Sequence, residues 1–373
     1  MRIGVPAEVR AGETRVAANP ETVKRLAAKN EVRIQAGAGA GSSIRDADFA
    51  AAGAKLVGSA AEAYDAEIVL KVRAPTDAEM DLLKSNSILI GLLDPFNAAA
   101  VEALARRGVT AFAMEWLPRI SRAQSMDVLS SQANIAGYKA VVLAAAESGR
   151  FFPMLMTAAG TVKASRVLIL GAGVAGLQAI ATAKRLGAVI EASDVRPAVK
   201  EQVESLGAKF LDVPYETDEE REIAQGVGGY ARPMPVDWMR RQAELVHEHA
   251  KAADIVITTA LIPGRPAPVL LREETVKAMK PGSVVVDMAI EQGGNCPLTE
   301  KDKIVVKHGV KLVGLANLPA LVAADASALY ARNLLNFLNL LVDPKTGELK
   351  LNREDEIIAG SLVCINGEVV KKS

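Results

Sequence analysis

One stretch of the sequence combines glycines, a carboxylate and apolar runs at a spacing suited to binding a diphosphate. Gly171, Gly173 and Gly176 follow the apolar run 166–170, and Asp194 ends a second apolar run downstream. Glycines at this spacing permit a tight turn and a close backbone approach to a pyrophosphate, and a helix starting there presents free N–H groups to the anion. Strand, glycine turn, helix, strand and acid in this order form a dinucleotide-binding fingerprint. The alternative is a glycine-rich turn that binds no ligand.

Asp194 bears on which dinucleotide would bind. A carboxylate at this position can accept hydrogen bonds from both hydroxyls of an adenosine ribose, which suits NAD(H). Against the 2′-phosphate of NADP(H), two like charges about 4 Å apart cost about 4 kcal/mol at an effective dielectric of about 20. Arg196 lies two residues on and offers a cation to such a phosphate. We predict NAD(H), with Arg196 leaving the second cofactor open.

The bulk composition narrows the class of protein. The 373 residues suffice for two domains, and the 50% hydrophobic content supports a substantial core. Lys+Arg and Asp+Glu number 44 each, which argues against nucleic-acid binding and against electrostatic docking on lipid. The two cysteines, Cys296 and Cys364, match neither a metal-binding nor a disulfide spacing, so we predict no metal site and a reducing compartment.

Strands and helices alternate along the chain, which predicts an α/β fold with mostly parallel sheets. We expect two Rossmann-like domains linked by long helices, with a cleft between them. The first is expected to be discontinuous, residues 1–130 with 318–373, and residues 131–317 form the NAD(H)-binding domain. Long helices are predicted over residues 125–148 and 321–342. The predicted strands span residues 2–5, 32–36, 68–72, 88–92, 110–113, 166–170, 188–193, 255–259, 284–287 and 311–313.

The second long helix carries a regular pattern of amides. Asn333, Asn336 and Asn339 recur at three-residue spacing with leucines between them. This pattern is typical of a helix that packs its leucines into the core, and a contact with another subunit is the alternative. Polar residues interrupt the wider apolar stretch 312–342, which argues against a membrane span.

Histidine is scarce in this chain. The three histidines are His247, His249 and His308, so none precedes residue 247. Oxidation of an alcohol or amine needs a group beside the reacting carbon that moves a proton. A hydride that passes from one nicotinamide to another needs no such group, because no proton changes hands between the substrates. The scarcity therefore favours the second chemistry, although Lys71 or an acid can serve the first.

Several motifs together resemble the family that contains alanine dehydrogenase and the NAD(H)-binding component of proton-translocating nicotinamide nucleotide transhydrogenase. The resemblance covers nearly the whole chain, and its motifs lie at residues 4–17, 70–75, 131–138 and 287–294. Arg15 and Lys71 match positions that grip the substrate in alanine dehydrogenases. The catalytic histidine of that branch corresponds to Asp94 here, and its catalytic aspartate to Glu291. Both departures argue against amino-acid oxidation.

One loop instead resembles the transhydrogenase segment that surrounds the nicotinamide ring. The resemblance implies that Arg119, Gln124 and Asp127 are catalytic, with Ser130 just beyond them. A Gln and an Asp can bond the carboxamide and fix which face of the ring presents its hydride, while an Arg can reach the pyrophosphate or brace the loop. The alternative is an ordinary helix N-cap at Ser125 or Asp127, and both interpretations can hold at once.

The resemblance also implies a set of nucleotide-binding residues. Tyr230 lies in a charged and then glycine-rich segment, residues 215–235, that matches a mobile loop of the family. A lid and a passive surface excursion are both open for this segment. Thr258 and its neighbours match a segment that lines the site at a strand end. The predicted set is Ser130, Gly171, Gly173, Val174, Ala175, Gly176, Asp194, Val195, Arg196, Tyr230, Thr258, Ala260 and Leu261.

These observations predict a subunit that binds NAD(H) and passes a hydride from NADH to NADP⁺ on a partner, with a separate membrane component coupling the transfer to proton translocation. The resemblance implies a homodimer, partner subunits that bind NADP(H) and span the membrane, and a cytoplasmic position at the inner face of the membrane through those partners. Neither nucleic-acid binding nor direct membrane insertion is expected. The alternatives are a stand-alone oxidoreductase resembling alanine dehydrogenase and a catalytically silent NAD(H) sensor.

Overall fold

The computed structural model of the chain describes residues 1–225, 232–343 and 346–370. Its strands are β1 (Arg2–Val5), β2 (Glu31–Gln35), β3 (Lys55–Val57), β4 (Ile68–Arg73), β5 (Ile88–Leu92), β6 (Thr110–Ala113), β7 (Leu155–Thr157), β8 (Gly160–Val162), β9 (Arg166–Leu170), β10 (Val189–Ser193), β11 (Lys209–Phe210), β12 (Ile255–Thr258), β13 (Val284–Asp287), β14 (Ile304–Lys307), β15 (Val310–Val313), β16 (Leu362–Ile365) and β17 (Glu368–Val369).

Helices connect most of these strands. They are α1 (Pro20–Ala27), α2 (Asp46–Ala51), α3 (Ala60–Tyr64), α4 (Asp77–Met80), α5 (Ala98–Arg106), α6 (Val128–Glu147), α7 (Val174–Arg185), α8 (Lys200–Ser205), α9 (Asp218–Ala224), α10 (Val236–Ala252), α11 (Glu273–Ala278), α12 (Ala323–Leu341) and α13 (Glu356–Ser361). A short 3₁₀ helix, Ser121–Met126, precedes α6.

The chain divides into two compact units. Unit 1 consists of Met1–Gln132 and Pro319–Ser373, and unit 2 consists of Ala133–Leu318. Helix α6 begins in unit 1 and continues into unit 2. Each unit contains one large, mostly parallel sheet, so the predicted α/β fold with two such domains is confirmed.

The sheet of unit 1 has eight strands in the order β17-β16-β6-β5-β4-β1-β2-β3. The strands from β6 to β3 run parallel, whereas β16 is antiparallel to β6 and β17 is antiparallel to β16. Apolar side chains are buried on both faces, as parallel strands require. On one face they pack with Tyr330 and Phe337 of α12, and on the other with Val101 and Leu104 of α5.

The sheet of unit 2 has seven strands in the order β11-β10-β9-β12-β13-β15-β14, of which only β14 is antiparallel to its neighbour. Strand β9 lies between β10 and β12, so the chain leaves β9 toward one side of the sheet and later returns on the other. In open sheets of this kind, ligands bind outside the carboxyl ends of the strands where the strand order reverses. In unit 2 that place is the end of β9, where the glycine fingerprint begins.

The longest helices place their apolar side chains inside the protein. In α12, Leu334, Leu338 and Leu341 are at most 1% exposed, which confirms that this helix packs its leucines into a core. Among the residues that the structure describes, no helix has both the length and the apolar character needed to cross a membrane.

Two features depart from the pattern expected from the sequence. Strands β7 and β8 form an exposed antiparallel hairpin that was not predicted, and Met156 within it is 71% exposed. Helix α9 lies inside the segment 215–235, where no regular element was expected. Its start is explained locally, because the Thr217 side chain accepts a hydrogen bond from the Glu220 N–H.

Candidate functional site: a dinucleotide cradle and a polar loop

The three fingerprint glycines serve three different purposes in unit 2. Gly171 has a φ of 101°, and a Cβ there would lie 2.6 Å from the Thr259 Oγ1. A Cβ on Gly176 would lie 1.9 Å from the Gly171 carbonyl oxygen, so this glycine lets α7 pack against the turn. Gly173 has ordinary backbone angles, and its Cβ would meet nothing nearer than the Arg196 Nη2 at 3.9 Å. The space above Gly173 is therefore open for a ligand.

Helix α7 begins directly at this opening. Gly173 occupies the N-cap position without a side-chain cap, and Val174 and Ala175 form the first turn. The first N–H groups of a helix have no partner within the helix, and its N-terminus carries a partial positive charge. Because α7 runs for 12 residues, its dipole and free N–H groups suit the pyrophosphate that the fingerprint predicts.

The predicted ribose ligand Asp194 is held by an internal network. Its Oδ2 accepts from the Ala172 N–H at 2.7 Å and from the Arg196 Nη2 at 2.8 Å. Its Oδ1 accepts from the Arg196 backbone N–H and Nε, both at 2.9 Å. This hydrogen-bonded carboxylate raises the pKa of Arg196 above its ordinary value. Asp194 thus ties the ribose turn to the glycine turn, and its bonds to a ribose stay a prediction.

The end of β12 borders the glycine turn. Thr259 donates from its Oγ1 to the Gly171 carbonyl at 3.0 Å, a contact that the sequence prediction missed. Ala260 and Leu261 follow with accessible side chains. Thr258, in contrast, is fully buried and its hydroxyl donates to Asp287. The predicted ligand contact is therefore wrong for the Thr258 side chain, which points into the sheet and supports the strand end from below.

Asp287 organises the next strand end. Its carboxylate is fully buried and accepts from the backbone N–H groups of Ala289, Asn295 and Cys296 at 3.0–3.1 Å. The Asn295 Nδ2 then donates to the Ala260 carbonyl at 2.9 Å. Asp287 and Asn295 therefore hold the loop after β12, a role that the motif at residues 287–294 did not reveal.

A second tie reaches the ribose turn from the segment after β11. The Tyr215 hydroxyl donates to the Val195 carbonyl at 2.8 Å. The Tyr215 ring stacks on the buried Trp238, with 6.2 Å between ring centroids and 13° between planes. The predicted ligand Tyr230 lies outside the residues that the structure describes.

The predicted nicotinamide loop lies in unit 1 and is anchored from within. Ala123 and Met126 are buried in the core, while the side chains of Arg119 and Gln124 are exposed. Asp127 immediately precedes α6.

The Asp127 carboxylate accepts from the Ser130 N–H at 2.9 Å and from its Oγ at 2.6 Å. The interpretation of Asp127 as a helix cap is thus confirmed, and its contact with a nicotinamide stays a prediction.

Two family models match the chain. The description of one is "Alanine dehydrogenase/PNT, N-terminal domain", and it matches residues 4–136. The other, for the C-terminal domain of the same family, matches residues 140–372. The chain belongs to the alanine dehydrogenase/PNT family. This family binds NAD(H).

Relatives from both branches of the family match almost the whole chain. An NAD(P) transhydrogenase alpha subunit of Rhodospirillum rubrum is 55% identical over 99% of this chain and 98% of its own length. Alanine dehydrogenase of Mycobacterium tuberculosis is 34% identical over 86% of this chain and 82% of its own. The solved transhydrogenase from Sinorhizobium meliloti superposes with a TM-score of 0.89 at 49% identity, covering 99% of this chain and all of that one. The likeness to alpha subunits supports a transhydrogenase component.

The two cations shared with the alanine dehydrogenase branch are charge-matched inside unit 1. The Arg15 guanidinium bonds Glu13 through its Nε and Nη2, both at 2.7 Å. The Lys71 ammonium bonds Glu79 and lies 3.3 Å from the Glu8 carboxylate. Burial raises the pKa of Glu8. Since buried charges are costly unless paired, these glutamates account for both cations without a substrate.

Asp94, at the position of the family's catalytic histidine, is exposed and has a φ of 52°. Its N–H donates to the Glu115 Oε1 at 2.8 Å, and the Leu93 N–H donates to the Glu115 Oε2 at 3.2 Å. Glu115 follows β6 and holds the turn after β5. Burial, assisted by the nearby charge of Asp94, raises the pKa of Glu115 to about 7.

This pKa gives a prediction for stability. Because the folded pKa lies above the ordinary 4.5, the folded state binds the Glu115 proton more tightly, and stability is lost as pH rises from about 4.5 to about 7. The loss is on the order of 3 kcal/mol. We expect Glu115→Gln to remove this component, which urea unfolding of both proteins from pH 4.5 to pH 8 would measure. A difference between the two proteins that does not change with pH would contradict the assignment.

Proposed function

We propose that this chain is the NAD(H)-binding subunit of a proton-translocating transhydrogenase of the Re/Si-specific type. It passes a hydride from NADH directly to NADP⁺ held by a partner subunit. A separate membrane component couples that transfer to proton translocation. The main support is the likeness to transhydrogenase alpha subunits over nearly the whole length of both chains.

The cradle of unit 2 fits a dinucleotide. The opening above Gly173 admits a pyrophosphate to the N-terminus of α7, since no atom lies nearer than 3.9 Å to a Cβ built there. Asp194 lies at the end of β10, where the family's fingerprint places the adenosine ribose. Val195, Arg196, Ala260 and Leu261 complete the proposed binding set in this unit.

Gln124 and Asp127 are the proposed catalytic side chains, with Arg119 bracing them. Bound NADH supplies the hydride, so the task left to the protein is to hold the nicotinamide ring in a reactive geometry. Asp127 is already fixed by its two bonds to Ser130. A side chain fixed before the ligand arrives loses little entropy on binding, which suits a positioning role.

The placement of the histidines supports hydride transfer between nicotinamides over amino-acid oxidation. All three histidines belong to unit 2, and they bond Thr275, Glu191 and Glu273, which are not predicted site residues. Asp94 replaces the proton-transferring histidine of the alanine dehydrogenase branch. A transfer between two nicotinamides needs no such group.

The proposal includes an assembly. The chain forms a homodimer and associates with partner subunits that hold NADP(H) and span the membrane, which places it at the cytoplasmic face of that membrane. Size measurement by light scattering tests the homodimer, and co-purification with the partner subunits tests the association.

The deciding experiment is a hydride-transfer assay. The purified chain and NADH are mixed with thio-NADP⁺, whose reduced form has a distinct absorbance, with and without an NADP(H)-binding transhydrogenase component. We expect rapid transfer only when both proteins are present. Tight NADH binding without transfer would contradict the proposal, and turnover of alanine or pyruvate would favour the alanine dehydrogenase alternative.

A further inference from the structure

The asparagines of α12 contact the loop that carries the proposed catalytic side chains. The Asn333 Nδ2 donates to the Ser125 carbonyl at 2.9 Å, and the Asn336 Nδ2 donates to the same oxygen at 3.0 Å. Both residues belong to unit 1, as does the loop. Two side chains separated by 208 and 211 residues from Ser125 thus converge on a single peptide group.

Asn333 also reaches the other end of the loop. Its Oδ1 accepts from the Ser131 Oγ at 2.7 Å, so both ends of its amide are used and its orientation is defined. Ser125 immediately follows Gln124, and Ser131 lies in the first turn of α6 beyond Asp127. Asn333 therefore ties the chain on both sides of Asp127.

These bonds go beyond what the fold of the loop requires. Ala123 and Met126 already anchor it through burial in the core. The two amides saturate the two lone pairs of the Ser125 carbonyl, and this restrains rotation of the peptide plane that follows Gln124. Such restraint matters at a site where a displacement of about 1 Å can cost a factor of about 100 in rate.

We propose that Asn333 and Asn336 are positioning residues for hydride transfer, which they support by fixing the peptide between Gln124 and Asp127. This inference rests on the proposed function of the loop. Neither asparagine needs to touch the nucleotide, because each acts through the Ser125 carbonyl. Their effect therefore belongs in the transfer rate, and the affinity for NADH stays nearly unchanged.

The test compares three alanine variants of α12 in the two-protein transfer assay. Asn336→Ala and Asn333→Ala are each expected to lower the transfer rate about tenfold, with the Kd for NADH changed less than about twofold. Asn339→Ala is the matched control, since it removes an exposed amide three residues further along the same helix. Asn336 is less buried than Asn333, so its variant keeps the test valid if Asn333→Ala fails to fold.

A double-mutant cycle separates positioning from general support. If Asn336 acts through Gln124, adding Asn336→Ala to Gln124→Ala lowers the rate by less than about twofold more. Full multiplication of the two effects would overturn the inference, as would a wild-type rate for Asn336→Ala or an equal loss in NADH affinity. Absence of transfer by the wild-type pair would instead contradict the proposed function, and the inference with it.

Discussion

Gly173→Ala is expected to leave the protein folded and to weaken NADH binding at least about 100-fold. The new Cβ meets no protein atom nearer than 3.9 Å, and the backbone at this position has angles that alanine adopts freely. The methyl group would instead fill the space through which a pyrophosphate approaches the N-terminus of α7. Titration of NADH by fluorescence, together with a thermal melt, measures both parts of this result.

Two other glycines give the controls for this variant. Gly149→Ala adds a methyl group at an exposed position with no atom within 4 Å, so neither binding nor stability should change. Gly176→Ala drives a Cβ to 1.9 Å from the Gly171 carbonyl oxygen and should lower the melting temperature itself. Unchanged NADH affinity in Gly173→Ala would show that the open space is not the pyrophosphate site.

Gln124→Ala is expected to lower hydride transfer about 100-fold while the Kd for NADH changes less than about threefold. The side chain is exposed at the end of a loop whose backbone is fixed by burial and by α12, so its removal should not disturb the fold. If Gln124 only presents the nicotinamide ring, the loss falls on the transfer step and spares binding.

Ser125→Ala is the neighbouring control, because the bonds that α12 makes at this position go to the backbone and survive the change. Stopped-flow transfer and NADH titration on both variants provide the two numbers. An equal loss of affinity and rate in Gln124→Ala would mean that the residue binds the nucleotide in general and has no special role in the transfer step.

The regular regions of the fold follow from local sequence pattern. Strands β1, β5, β6, β9 and β13 begin and end at the predicted residues, because each is a short apolar run bounded by turn residues. Helix α7 begins three residues earlier than predicted, at Val174, since the glycine turn leads directly into it. The strands that were missed are short or lie at sheet edges, such as β11, β16 and β17, where apolar pattern is weak.

The candidate site was less accessible to sequence reasoning, because its organisation depends on bonds between distant residues. The pairing of Arg196 with Asp194, the cap at Asp127 and the spacing of the glycines are local and could be anticipated. The bond from Thr259 to Gly171 spans 88 residues, and that from Asn333 to Ser125 spans 208. No periodicity encodes such partners, so the asparagine spacing of α12 was visible while its purpose was not.

The nesting of unit 2 within unit 1 sets an order of assembly during synthesis. All of unit 2 lies before residue 319, whereas the core of unit 1 needs Tyr330, Phe337 and Leu362 from the end of the chain. Domains generally fold as units while the chain is made from its N-terminus. The ribosome therefore releases a complete nucleotide-binding unit while residues 1–132 still wait for α12, β16 and β17. The domain that begins the polypeptide is the last to close.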